Sequence, residues 1–505
     1  MSVKSIATTY CPPFLRPALG RVQASPLATR VARGAFWSLA GAVVSRALGL
    51  AAFVVVARIL GKAEYGRFGI IQSTVGMFGM FAGFGLGQTA TKYVAELREK
   101  APDRAGRIMA MAGLVAMVTG TLMAGALFVV APWLASQTLA APELAPLLRV
   151  GALILIVEAM NGAQTGALAG FEAFKTTAKI NMWAGLASFP MMTLGVYWGG
   201  LTGCVWAYAA NRTLNWLLNH LALRREARRA GVPFILRGSR AELSILWRYS
   251  LPSMLSGVMV SPTIWVCNAM LVNQPGGYDQ MGIFQATSTF QQILFFLGNT
   301  LSAPLLPLLA NRIGRENARL DRVNMLSTWA LGALPAVVLF GLPEMATMLF
   351  GRGFAGSQFT YTFLLMIFCS SVVIYKQGLA RILAAYGLMW WGMLSNCVWA
   401  INLVGCTYAL ASHGAVGYSM AWVLAYVLNT VLFIPLYLYK KLVPRGTIVS
   451  IEAGMIWLLL LATMALSFLG VPLCGRLLLL PVALGATVWS FWRLLKQGNA
   501  REKAA

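Results

Sequence analysis

Gly34–Ala57 reads GAFWSLAGAVVSRALGLAAFVVVA, an apolar stretch with one charge, Arg46, at its middle. A bilayer crossing needs roughly 20 mainly apolar residues, and this stretch supplies them. Phe68–Thr91, Ile108–Ala131, Leu147–Phe171, Ala178–Tyr197 and Leu201–Leu223 repeat the pattern. After a basic gap come Tyr249–Val272, Gly282–Leu309, Asn324–Gly341, Phe359–Ala385, Trp391–Ala411, Val416–Tyr439, Glu452–Gly470 and Leu477–Leu495. Lipid offers backbone N–H and C=O groups no partner, so each stretch must satisfy its own as a helix. The fold class is therefore all-α: a polytopic membrane protein of about 14 transmembrane helices, with little folded mass between them.

The net charge of +25 would suggest a nucleic-acid partner in a soluble chain. Its placement points instead to topology. With the first helix running outward from the cytoplasm, about 31 of the 40 Lys and Arg fall on the cytoplasmic side and about 6 outside. The densest cluster is Arg224, Arg225, Arg228, Arg229, Arg237, Arg240 and Arg248. This predicts an even number of membrane crossings, with both termini cytoplasmic. Arg58, Lys62 and Arg67 oppose the rule by falling outside. The seven cysteines show no paired spacing and read as buried free thiols. With two histidines, His220 and His413, no metal site is expected, nor any cofactor. The first 33 residues have no separate apolar core before a cleavage site, and read as a cytoplasmic tail.

The chain also repeats itself. Gly69-Ile70-Ile71-Gln72-Ser73-Thr74 matches Gly282-Ile283-Phe284-Gln285-Ala286-Thr287 at an offset of about 213 residues. Leu168-Ala169-Gly170-Phe171 and Leu383-Ala384-Ala385-Tyr386 match at nearly the same offset. This predicts two six-helix lobes of like orientation plus two C-terminal helices. Residues 1–33 form the tail, 34–223 the N-lobe and 224–248 a basic linker. Residues 249–439 form the C-lobe, and 440–505 hold the last two helices and a second tail.

A charge at mid-bilayer costs roughly 2.5–3.5 kcal/mol on insertion scales, so Arg46, Glu158, Arg212 and Lys376 are candidate functional residues. Glu158 serves either as a coupling residue or as the ion-pair partner of Arg46 or Arg212. Tyr208, Arg212, Asn215 and Asn219 share one helix face, as do Glu158, Asn161 and Thr165. On the eighth helix Gln285, Thr289, Gln292 and Asn299 align, and on the seventh Ser253, Gly257, Ser261 and Asn268. Some of these residues serve interhelical hydrogen bonding. Arg46, Arg212, Asn215, Lys376, Gln285 and Asn161 are the substrate-binding candidates. Three cations against one carboxylate would make a positive, amide-rich space, suited to a phosphate-linked sugar: guanidinium forks grip phosphate, and amides serve hydroxyls. Gly69, Gly76, Gly79, Gly83 and Gly87 form a small-residue ridge, and Pro252, Pro262, Pro304 and Pro307 are candidate kinks.

Ala57-Arg58-Ile59-Leu60-Gly61-Lys62-Ala63-Glu64-Tyr65-Gly66-Arg67-Phe68-Gly69 resembles the A-R-x-L-G-x-x-x-Y-G-x-F pattern of bacterial polysaccharide-biosynthesis (O-antigen-type) flippases. Their superfamily also holds multidrug and toxic-compound extrusion (MATE) exporters and lipid II flippases. With the helix count and repeat, the resemblance spans about residues 30–495. It implies a MATE-like, two-lobed transporter with a cation-lined cavity that opens alternately to either side, and no covalent chemistry. The implied substrate is polyprenyl-pyrophosphate-linked oligosaccharide in a lipid bilayer. Implied partners are a polysaccharide polymerase or glycosyltransferases, with a monomeric protein and no nucleic acid. Two alternatives stand beside it. A cation-coupled exporter would need a membrane carboxylate, and Glu158 is the candidate. A polymerase or ligase would need catalytic acids outside, where Glu64, Glu143, Asp279 and Glu344 fall on short loops.

Overall fold

A computed structural model describes residues 26–302, 318–385, 388–440, 442–443 and 446–504. Most of the 1–33 tail, Pro304 and Pro307 lie outside the described residues, as do the side chains of Pro252, Ser253 and Asn299. The helices are α1 (Pro26–Gly83), α2 (Leu86–Leu97), α3 (Pro102–Trp133), α4 (Ala145–Gly170) and α5 (Phe174–Arg229). Then come α6 (Leu251–Gly257), α7 (Val260–Val272), α8 (Gly277–Ser302), α9 (Ala318–Gly341) and α10 (Glu344–Phe350). The series ends with α11 (Ser357–Ala385), α12 (Met389–Leu410), α13 (Gly414–Tyr439), α14 (Ile451–Phe468) and α15 (Leu473–Ala504). No strand occurs among the described residues.

Two of these helices are hairpins. In α1 the chain reverses at Gly61 (φ 74, ψ 179), bringing the Phe53 and Phe68 rings to 6.4 Å. A straight helix would separate those residues by about 22 Å. In α5 it reverses at Gly200 (φ 52, ψ −134), a region open essentially to glycine alone. Among the described residues seven helical stretches are long and apolar enough to cross a membrane, and two of them, Val43–Gly83 and Trp390–Tyr439, span two arms each. The other crossings, α4, both arms of α5, α6 with α7, and α8, carry further polar residues, among them Glu158, Arg212, Asn268 and Gln285. The total approximates the expected 14. Sequence continuity hid two breaks. The second stretch is interrupted at Phe84 and Gly85, both at positive φ, and the seventh between α6 and α7.

Helices α1–α5 pack on one another, as do α7–α13, while α14 and α15 pack together against α9. Contact between the first two groups runs chiefly from the second arm of α1 to α7 and α8. Three successive residues of that arm each meet a side chain of the other group. Gln285 Nε2 donates to Gln72 Oε1 at 3.2 Å, Asn268 Nδ2 to Ser73 Oγ at 2.8 Å, and Trp265 Nε1 to Thr74 Oγ1 at 3.0 Å. Gln72 and Gln285 are the repeat-equivalent pair, 213 residues apart.

The glycine ridge divides by use. Gly87 and Gly166 pack where α2 crosses α4, and a Cβ on Gly166 would overlap Gly87 O, whereas Gly76 and Gly83 face open space. Two of the exceptional basic residues, Arg58 and Arg67, are engaged. Arg58 donates to Leu349 O at 2.7 Å and Met348 O at 2.6 Å, the exposed carbonyls closing α10, where a cation is favoured. Arg67 pairs with Glu64 and, at 3.0 Å, with Glu143.

Arg476 anchors the last two helices, donating to Gly341 O, Val471 O and Glu344. Burial by itself would raise the Glu344 carboxyl, but the Arg476 bond, a backbone bond and the Arg476 charge hold it below its ordinary 4.5. A lowered folded value makes this clamp fully effective above pH 4.5 and loses it as pH falls through that lowered value. Arg476→Ala should therefore speed proteolysis between α13 and α15 at neutral pH, and acidification should do the same to the wild type. Gly166→Val should cost at least about 1–3 kcal/mol through overpacking, while Gly76→Ala leaves thermal stability within about 1 kcal/mol of wild type.

Candidate functional site

Two first-arm residues make room for a cavity beside the seam. Gly185 of α5 lies so close to Ser45 of α1 that an added Cβ would stand 2.8 Å from Ser45 Cα. Next to this crossing opens a cavity of about 330 Å³, lined from α1, both arms of α5, and α8. Arg46, Arg212 and Asn215 line it with Asn181, Asn211 and Gln292. Arg46 stands 15 residues before the Gly61 turn and Arg212 12 after the Gly200 turn, or about 22 and 18 Å along their helices. Both cations are therefore near the middle of a hydrocarbon core about 30 Å thick.

Arg212 Nη1 pairs with Glu158 at 3.1 Å, the two side chains 39% and 31% accessible. Its Nη2 donates to Tyr208 Oη at 2.8 Å, and its Nε makes no hydrogen bond among the described residues. Asn219, buried behind, donates Nδ2 to Asn161 Oδ1 and Asn215 Oδ1, each at 2.8 Å. Of the stripe facing inward, Tyr208, Arg212 and Asn215 reach the cavity, and Asn219 with Asn161 braces Asn215 from outside it. The Arg46 guanidinium lies 5.5 Å from the Phe296 ring centroid, with no acidic partner among the described residues. Two cations less one carboxylate leave the cavity with a net positive charge.

Two expected residues stand elsewhere. Lys376 is held by Asn429 and Ser395, 5.8 Å from the Tyr426 ring, inside the second helix group. Gln285 is spent on the seam with Gln72. Thus two of the three intramembrane cations share the cavity, not all three. Sequence reasoning missed Ser45, Asn181, Ser188 and Asn211. Ser45 and Asn211 each precede a singled-out arginine, and Asn181 and Ser188 are spaced i, i+7 on one helix face, so the signal was present. Among the described residues no group of three or more His, Cys, Asp or Glu could hold a metal ion.

At the end carrying the Gly61 turn the helix groups are in close contact. Tyr278 Oη donates to Leu139 O and Asn273 Nδ2 to Thr138 O, both at 2.7 Å. Gly66 meets the backbone of Tyr278 and Gly282, and Tyr65 packs on Phe350 and Phe354. This end is sealed.

The sequence model of a family described as polysaccharide biosynthesis protein matches residues 31–312. The EPS I polysaccharide export inner membrane protein EpsE of Ralstonia nicotianae is 24% identical over 407 residues, 77% of this chain and 89% of that protein. The lipid III flippase of Escherichia coli is 22% identical over 415 residues, 79% and 95% of the two chains. Among solved structures, the lipid II flippase MurJ in an inward closed conformation superposes with a TM-score of 0.69 at 12% identity, covering 93% of this chain and 99% of that one. An inward-facing multidrug resistance MATE family transporter gives 0.64 at 16%, covering 81% and 98%. The fold is theirs, and the chain is a multi-span membrane protein.

Arg212→Ala strands Glu158, whose partial exposure limits the loss to about 1–2 kcal/mol. Adding Glu158→Gln should recover part of it, read as thermal stability of the purified protein in a double-mutant cycle.

Proposed function

The chain belongs to the polysaccharide biosynthesis protein family, and we propose that it flips polyprenyl-pyrophosphate-linked oligosaccharide repeat units across the inner membrane for cell-surface polysaccharide synthesis. The observation that carries this reading is the mid-depth cavity with net positive charge and amide and hydroxyl walls. In the proposed orientation both termini and the linker are cytoplasmic, and the sealed end is periplasmic. Residues 34–223 and 249–439 act as the two lobes, and 440–505 as an appended pair of helices.

The cavity can perform the difficult part of flipping, which is desolvating a charged head. Arg46 has no competing acid among the described residues and offers a fork to pyrophosphate oxygens. Arg212 is already half-neutralised by Glu158, so a pyrophosphate entering the cavity competes with that carboxylate for its N–H groups. Asn181, Asn211, Asn215 and Gln292 stand where sugar hydroxyls exchange water for amide partners. The tail remains in lipid, so the protein need shelter the head alone. Release requires the contacts at Thr138, Leu139 and Met348 to open while the linker end closes, a shift between two populated states. Lys376 and Gln285 have structural roles in this state; Arg46, Arg212 and Asn215 are assigned to substrate and Asn161 to bracing. No step is covalent, and the protein is read as a transporter, not an enzyme.

A cation-coupled exporter is favoured by one observation, the Glu158 carboxylate on Arg212, and a single experiment separates the two. In a deletion strain, lipid-linked repeat units should accumulate on the cytoplasmic leaflet. Wild type should clear them, and Arg46→Ala should clear them at least about tenfold more slowly, as expected for one lost charge-assisted contact. If drug susceptibility rises and no lipid-linked sugar accumulates, the exporter reading replaces this one. Thr138→Cys with Asn273→Cys, oxidised to a disulfide, should hold the periplasmic end shut and stop clearance, with reductant restoring it.

A further inference from the structure

A larger cavity, about 500 Å³, lies apart from the first and shares no lining residue with it. It opens between α3, α4, the end of α5 and the linker segment 232–236. Small residues facing one another, Ala112, Gly113, Ala163 and Ala167, leave the space, and Met109 and Met160 complete apolar walls. The linker is held in place as one wall. Gly106 lies so close to Pro233 O that a Cβ would overlap it, and Glu242, 7% exposed, takes a two-pronged ion pair from Arg104 at 3.0 and 3.2 Å.

The rim is cationic. Arg224 and Arg228 border the cavity, and among the described residues neither has an acidic partner. Neighbouring charges are engaged elsewhere: Glu226 binds Thr176 and Arg229, and Arg104 is on Glu242. Depth separates the two chemistries. Arg224 and Arg228 follow the Gly200 turn by 24 and 28 residues, about 36 and 42 Å along α5. A hydrocarbon core of about 30 Å within a bilayer of 40–45 Å puts both at head-group level, with the apolar walls beneath them. Phe234 and Leu236, 47% and 65% exposed, extend the rim with apolar side chains interleaved among arginines, a pattern suited to a membrane surface.

We infer that this cavity is a binding site for an anionic phospholipid, its acyl chain between α3 and α4 and its phosphate on Arg224 and Arg228. Charge complementarity selects an anionic head, as in other basic pockets between transmembrane helices. The volume falls within the roughly 300–1,000 Å³ of ligand pockets. A phosphate on a hydrocarbon chain also describes a polyprenyl phosphate. The bilayer lipid is the occupant inferred, because the cavity is separate from the proposed transport path. The choice of a bilayer lipid over a polyprenyl phosphate rests on the proposed transport path, whereas binding of an anionic lipid is read on purified protein and stands or falls apart from it.

The full chain, purified in detergent, would be titrated with dioleoylphosphatidylglycerol or dioleoylphosphatidylcholine and bound lipid counted by native mass spectrometry. One phosphatidylglycerol should be retained in preference to phosphatidylcholine, with a saturable rise in thermal midpoint. Arg224→Ala with Arg228→Ala should weaken retention by at least about tenfold. Ala163→Phe should exclude the lipid with both arginines intact. Each variant's midpoint without lipid reports whether it has folded. Equal retention of the two lipids, or retention unchanged in both folded variants, would overturn the inference. So would displacement of phosphatidylglycerol by equimolar undecaprenyl phosphate, which would assign the cavity to the substrate tail.

Discussion

Gln72, Ser73 and Thr74 form the seam on which the arrangement of the two helix groups depends. Within lipid no hydrophobic force draws helices together, since lipid tails are as apolar as leucine. Cohesion must come from close packing and from polar side chains that find each other. Three consecutive hydrogen bonds to Gln285, Asn268 and Trp265, with Tyr418 bracing Asn268 at 2.8 Å, supply it. At about 0.6 kcal/mol each, the average for such bonds, the three that cross between the groups contribute roughly 2 kcal/mol. That biases one arrangement without making another inaccessible, and the alternating motion proposed for this chain needs both properties.

The cavity and the seam are built from opposite sides of the same architecture. The second arm of α1 spends its polar residues on the seam, while the first arm turns Ser45 and Arg46 toward α5 and α8. The hairpin at Gly61 makes this division possible, because it lets adjacent sequence serve two surfaces. It also brings Arg58 to the carbonyl end of α10, so Arg58 and Arg67, two of the charges that oppose the topology rule, are tied into that end. In the second cavity small residues create volume and the linker closes it. A basic linker thus does more than mark a membrane face: its arginines reach the head-group layer beside an apolar recess.

The sequence states the fold class through length and apolar content alone, because the bilayer leaves helices as the available structure for an unbroken 20-residue apolar run. The repeat aligned Gln72 with Gln285 in the sequence, and these two side chains meet in the structure. Arg46, Glu158 and Arg212 were visible because a mid-membrane charge is too costly to be casual. The tertiary structure alone decided which of them meet. Helical spacing assigns residues to a face, but the rotation of each helix against its neighbours decides what that face touches. That rotation set Arg212 on Glu158, left Arg46 beside Phe296 with no acidic partner among the described residues, enclosed Lys376 with Asn429 in the other helix group, and spent Gln285 on the seam. The second cavity was hidden for the same reason: alanines and glycines from α3 and α4 carry no chemical signal until packing brings their missing side chains together beneath two arginines.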